Sequence, residues 1–242
     1  MGENRSQYVL HACHGDFESD LADRCLQISA FTALDDLSQL AVGFANGSVT
    51  VIRGDLVHDR GAKQRIVHES EEPVTGLEFR VDSRITTLYI ATISRILKLV
   101  LSGRGQGTPV RTVEDSGCAV GCMTVDKRNG DIVVARDDAI YYYGVDGRGP
   151  CVGCDGTKSL VAIYGDYVAL VSPPSTATDT TRSGTLRRFG GSQADAIFNT
   201  STFTLLDTDL KFIAHSESVV SQVKTLFMIW GDLFTLTQDG KV

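Results

Sequence analysis

LAVGFANGSVTVI (residues 40–52) is an apolar run, a tight polar turn and a second run of β-branched residues, which is the grammar of a β-hairpin. Asn46-Gly47 supplies the turn, a dipeptide that tolerates φ > 0 at both central positions of a type I′ turn. The same grammar returns as LYIATISRILKLV (88–100), IVVARDDAIYYY (132–143) and LFTLTQDGKV (233–242). The first three start at residues 40, 88 and 132, and so lie 48 and 44 residues apart. Strand pairs recurring at about 40–45 residues predict a β-propeller with one four-stranded blade per repeat. The expected class is all-β: a partial propeller of WD-like blades, about four of them, for which binding is the default role.

Working outward, the first blade takes Gln27–Leu34 and the hairpin 40–52, with 64–68 as its outer strand. The second takes Val74–Phe79, Thr87–Thr92, Arg95–Leu101 and Val110–Val113. The third takes Gly121–Asp126, Asp131–Ala135, Ala139–Tyr143 and a weak edge near Pro150–Cys154. The fourth starts at Ser159–Tyr164 and Tyr167–Ser172 and resumes at Thr202–Leu206 and Lys211–His215. A fifth begins at Lys224–Trp230 and Leu233–Thr237. Runs this continuously apolar suit strands buried on both faces, and Ala41, Gly43 and Ala45 suit close packing near a central axis. Residues 173–201 are rich in Ser, Thr, Gly and Pro without apolar period, and read as a disordered insertion. Residues 1–26 stand apart from the propeller region, 27–242. The last blade stops in its third strand, so the expectation is part of a larger ring, whose open faces would favour self-association.

The bulk numbers exclude more than they assign. The formal charge of −7 argues against a nucleic-acid or anionic-membrane binder. The N-terminus, MGENRSQYVL, has no apolar core of signal-peptide length, and the apolar stretch 85–101 contains Arg95 and Lys98. Six cysteines without a secretory signal indicate reduced cytosolic thiols.

No residue pattern in the sequence marks a catalytic group. His11, Cys13 and His14 could touch a metal, yet no second ligand pair follows at zinc-finger spacing. Cys118, Cys122, Cys151 and Cys154 could form a four-thiol set, although Cys122 fits better as a small buried residue. Gly103-Arg104-Gly105-Gln106-Gly107 lacks the Lys-Ser/Thr and the helix of a phosphate-binding loop. Met1-Gly2 with Ser6 matches an N-myristoylation pattern that is short and common. No catalytic, cofactor-binding or metal site is assigned, and no cofactor is expected. Candidate docking features are the turn at Asn46-Gly47, the acidic loop of Glu69, Glu71 and Glu72, and the insertion 173–201, whose Ser and Thr beside Arg182, Arg187 and Arg188 invite phosphorylation.

The stretches ALDDLSQLAVGFANGSVTVIRGDLVHDRG (33–61), LYIATISRILKL (88–99), TVDKRNGDIVVARDDAIYYYGVDGRGP (124–150), YVALVSPPS (167–175) and IWGDLFTLTQDGKV (229–242) closely resemble the fungal vacuolar protein-sorting 11 family. The resemblance runs from about Cys25 to Val242. It implies the N-terminal propeller of a class C subunit of the HOPS and CORVET tethering complexes, ahead of an α-solenoid and a RING-type zinc finger that this chain lacks. It further implies partners among the other class C subunits and, indirectly, Rab GTPases and SNAREs. The place implied is the cytosolic face of endosome and vacuole or lysosome membranes, with peripheral attachment through the complex. The expected function is therefore a non-enzymatic interaction module in vesicle transport and vacuole fusion. The alternatives are a generic WD-type scaffold, against which the missing Gly-His and Trp-Asp pairs argue, a propeller enzyme with axial carboxylates, or a fragment without function.

Overall fold

The computed structural model describes residues 27–58, 60–83, 85–101, 109–173, 201–207, 213–219, 223–229 and 232–237. These residues form eighteen strands, and no helix occurs among them. Blade 1 is β1 (Ile28–Ala33), β2 (Gln39–Phe44), β3 (Val49–Asp55) and β4 (Arg60–His68), paired in that order and antiparallel throughout. Blade 2 is β5 (Gly76–Asp82), β6 (Ile85–Ala91), β7 (Ile96–Leu101) and β8 (Arg111–Glu114). Blade 3 is β9 (Met123–Asp126), β10 (Asp131–Ala135), β11 (Ala139–Gly144) and β12 (Gly147–Gly153). Blade 4 is β13 (Leu160–Tyr164), β14 (Tyr167–Ser172), β15 (Ser201–Asp207) and β16 (Ile213–Val219), and β17 (Val223–Ile229) and β18 (Asp232–Thr237) form a strand pair. The all-β, four-stranded-blade reading holds.

Two compact units divide these elements. One comprises residues up to 134 with 141–151, the other 135–140 with 152 onward. In the first unit, β1 lies beside β5 and β5 beside β9, so the leading strands of successive blades are neighbours. One face of blade 2, made by Leu77, Phe79, Leu88, Ile90 and Leu97, packs against Ala41, Val49 and Val51 of blade 1, with Val74 between them. Pleating explains the selection, because residues two apart on a strand share a face. Gly43 is part of this contact: a Cβ there would lie 2.6 Å from Val74 Cγ1. The small residues at 41 and 43 thus serve blade-to-blade approach on a second strand rather than the lining of an axis. Leu40, Val42, Phe44 and Ile52 form a separate buried cluster on the opposite face of blade 1.

In the second unit β13 lies against β17, and the buried Ser201 hydroxyl accepts a hydrogen bond from the Val223 amide at 3.3 Å. The turn 136–139 closes with the Arg136 amide donating to the Ala139 carbonyl at 2.9 Å. Lys158, fully buried in this unit, donates from Nζ to the carbonyls of Arg136 (2.7 Å), Asp137 (3.1 Å) and Cys154. Carbonyl oxygens thereby meet the buried ammonium with hydrogen-bond acceptors.

Candidate functional site

Two polar stations interrupt the apolar packing of the first unit. The inner station begins at Glu78 on β5, whose Oε2 accepts a hydrogen bond from Thr32 Oγ1 of β1 at 3.2 Å. Burial pushes the Glu78 carboxyl up to about 7, against the Thr32 hydrogen bond and the positive charge of Lys127, which pull it down. Lys127, in the β9–β10 turn of blade 3, pairs with Asp35 in the β1–β2 turn of blade 1 at 2.6 Å. Side chains from three blades therefore meet at their leading strands. Both ends of the Lys127–Asp35 pair are well exposed, so its contribution to stability is small, roughly 0–1 kcal/mol.

The second station lies on the face of blade 2 turned toward blade 3. Cross-strand pairing sets two rows there, Glu78–Tyr89–Lys98 and Arg80–Thr87–Val100. Arg80 is buried, and its guanidinium spans to blade 3: Nη1 donates to Gly130 O (2.9 Å) and Asp131 Oδ1 (3.1 Å), Nη2 to Asn129 O (3.4 Å). Gly130, at φ 74, holds the turn that offers these carbonyls. The Tyr89 hydroxyl donates to Gly144 O at 3.4 Å, and Lys98 Nζ donates to Val145 O, also at 3.4 Å. Above these contacts the two blades leave a cleft of about 510 Å³.

The candidates taken from the sequence fare unequally. The turn at Asn46-Gly47 is a three-residue loop rather than a type I′ turn. Gly47 has φ 85 while Asn46 stays on the negative side, the Gly47 amide donates to Phe44 O, and the Phe44 amide donates to Ser48 O. Asn46 is held there because its Oδ1 accepts from both the amide (3.0 Å) and the hydroxyl (2.7 Å) of Ser48. The acidic loop is not simply solvated: Glu72 Oε2 accepts from Thr92 Oγ1 (2.7 Å) and Ser94 Oγ (2.5 Å), and Oε1 from Arg95 Nη2 (3.4 Å). Those donors hold the Glu72 carboxyl below its ordinary range. Its loop is thus knotted to the β6–β7 turn, and no local pattern in the sequence signals this.

Cys118 and Cys122 are buried, Cys151 is exposed, and among the described residues no three His, Cys, Asp or Glu side chains gather as a metal site. His11, Cys13, His14, the 103–107 loop and nearly all of the insertion lie outside the described residues. Arg80 and Lys158 escaped the sequence reading. Each looks like an ordinary solvent-facing cation until the fold supplies its acceptors.

Successive antiparallel four-stranded blades place this chain in the class of β-propeller proteins. The solved structure of BBS1N in complex with ARL6DN, soaked with lead, shares that fold at a TM-score of 0.56 and 10% identity, over 89% of this chain and 60% of that one. A sequence model of the PEP5/VPS11 N-terminal family matches residues 4–242, and the chain belongs to that family. The match takes in residues 4–26 as well, which lie upstream of the resemblance read from the sequence. Among relatives, the human vacuolar protein sorting-associated protein 11 homolog is 32% identical over 89% of this chain and 22% of its own length. The Dictyostelium discoideum homolog is 30% identical over 91% of this chain and 25% of its own length. The Arabidopsis thaliana homolog is 25% identical over 88% and 20%. The chain thus spans about a fifth to a quarter of these relatives.

Proposed function

We propose that the chain is a non-enzymatic protein-interaction module of a membrane-tethering complex of the HOPS and CORVET kind, acting in transport from endosome to vacuole or lysosome. The observation that carries this reading is the family match over 4–242, joined to relatives named for vacuolar protein sorting. The architecture supports it, since rigid blades joined by short turns present fixed surfaces well suited to recognition. BBS1N, of like fold, is found in complex with ARL6DN. The partners proposed are the other class C vacuolar protein-sorting subunits, with Rab GTPases and SNAREs reached through the complex. Attachment to membranes is then peripheral and cytosolic; among the described residues no helix is long and apolar enough to cross a bilayer.

Affinity purification of the tagged chain from cells that carry the class C subunits, followed by mass spectrometry, tests the proposal. Recovery of those subunits is the expected result. Recovery of chaperones alone, from a chain shown by circular dichroism to be folded, overturns it.

A further inference from the structure

The face of blade 2 turned toward blade 3 closes at one end and stands open at the other. At the closed end a Cβ on Gly76 would meet the Met123 side chain at 2.9 Å. At the open end, beside the β5–β6 turn, lies the cleft of about 510 Å³, within the range of roughly 300–1,000 Å³ usual for ligand pockets. Tyr89 gives it a floor whose hydroxyl is already spent on Gly144 O. Its walls are Ile85 and Val100 of blade 2 and Val145 of blade 3, and Ile85 and Val145 are each 54% exposed. Lys98 stands among these apolar side chains with one long hydrogen bond to a carbonyl and no carboxylate partner among the described residues. The other lining cation, Arg80, is already engaged by Asp131 at 3.1 Å and lies 3.9 Å from Asp82, the carboxylate of the lining, which leaves Lys98 as the cation there without an ion pair among the described residues. An ammonium without a counter-ion beside low-dielectric walls attracts a negative group strongly.

We propose that this inter-blade cleft is a docking site for an extended peptide segment of a partner protein, which seats an aliphatic or aromatic side chain between Ile85, Val100 and Val145 and offers a neighbouring carboxylate to Lys98. The chain's net charge of −7 repels a broadly acidic partner, so the segment is a short motif with one carboxylate at its apolar anchor. A single lysine contributes only about 1 kcal/mol at an anionic bilayer, which favours the peptide over a lipid surface. The proposal rests on the reading of the chain as an interaction module.

Fluorescence anisotropy of labelled octapeptides, each with a central Leu or Phe and one Asp or Glu beside it, tests the cleft on the 242-residue chain. Saturable binding is expected, weakened about tenfold or more by Lys98→Glu, a change of about 1.4 kcal/mol per tenfold. Val145→Asp and, independently, Ile85→Asp should abolish it, while Lys63→Glu on β4 leaves it unchanged. The altered apolar residues are more than half exposed, so circular dichroism should show the fold retained. Absence of saturation by every peptide, or binding indifferent to Lys98→Glu and both aspartates, overturns the proposal. Lys98-dependent binding to anionic vesicles without any peptide binding also overturns it, in favour of a lipid headgroup. Recovery of class C subunits by a chain that binds no peptide would sink the cleft and leave the tethering reading standing.

Discussion

Blade 2 has two faces that obey different rules. Toward blade 1 it presents Leu77, Phe79, Leu88, Ile90 and Leu97, all buried in one apolar cluster, and the Thr32–Glu78 hydrogen bond is the polar contact described between the two blades. Toward blade 3 it presents Glu78, Arg80, Thr87, Tyr89 and Lys98 in cross-strand rows, and part of the space beside them is left open. The same three strands make both faces, so backbone pairing cannot be the cause. The difference lies in the alternating side chains. The dry face gains from area removed from water, at about 25 cal/mol per Å². The polar face gains less per contact, but its hydrogen bonds demand one register and one orientation.

The largest effect should come from the dry face. Leu88 is fully buried, and Leu88→Ala is expected to cost about 2–5 kcal/mol, through lost transfer energy and the cavity left behind. Urea unfolding followed by circular dichroism would measure it. A loss below about 1 kcal/mol would mean that the blade 1–blade 2 interface is not close-packed. Next comes Arg80→Met, which keeps the volume of the stem but strips acceptors on Asn129, Gly130 and Asp131 of their donor. A loss of about 2–4 kcal/mol is expected, with Arg80→Lys recovering only part, since an ammonium cannot span three acceptors as a planar fork does. Full rescue by Lys would reduce the clamp to a point charge. Gly43→Ala ranks third, at about 1–3 kcal/mol, because the added methyl must displace Val74. A neutral result would show that the first blade contact has slack.

The dry face was legible in the sequence and the polar one was not, for a physical reason. Strands such as β2, β6, β10 and β14 have partners on both sides, so their apolar runs announce them, and their observed bounds lie close to those expected. The outer strands pair on one side only. β4 begins at Arg60 where 64 was expected, β12 at Gly147 where 150 was expected, and β16 runs on to Val219 past 215, each through polar or glycine-rich residues that hydrophobic pattern does not mark. The turn type at 46–47 was misread because loop length, not the dipeptide alone, selects the turn. Arg80 and Glu72 draw their meaning from partners 49–51 and 20–23 residues away, beyond any local window. The open cleft beside Lys98 is a property of how two blades diverge, and no single strand encodes it.

The smallest predicted effect has the opposite sign and separates the two faces most sharply. Glu78 sits on the polar face with a carboxyl raised to about 7, against an ordinary 4.5 in the unfolded chain. Between those two values the folded protein holds a proton that the unfolded chain has released. Stability from this group is therefore fully present below about 4.5 and is lost as pH rises through about 7, the reverse of an ordinary paired carboxylate. Glu78→Gln keeps the shape and an acceptor for Thr32 Oγ1 while removing the ionisation. It should match the wild type near pH 4.5 and exceed it at pH 8 by on the order of 1–2 kcal/mol, the shift being discounted for partial exposure. The difference between the two chains is the informative quantity, because Asp36, Asp55, Glu72 and Asp126, all with lowered carboxyls, pull the absolute curves the other way. If Glu78→Gln instead destabilises at pH 8, the ionised carboxylate and Lys127 form a working pair, and the polar face contributes to stability as the dry face does. If the gain appears, Glu78 is kept at a cost to stability, and selection for contact chemistry on that face is the reason left standing.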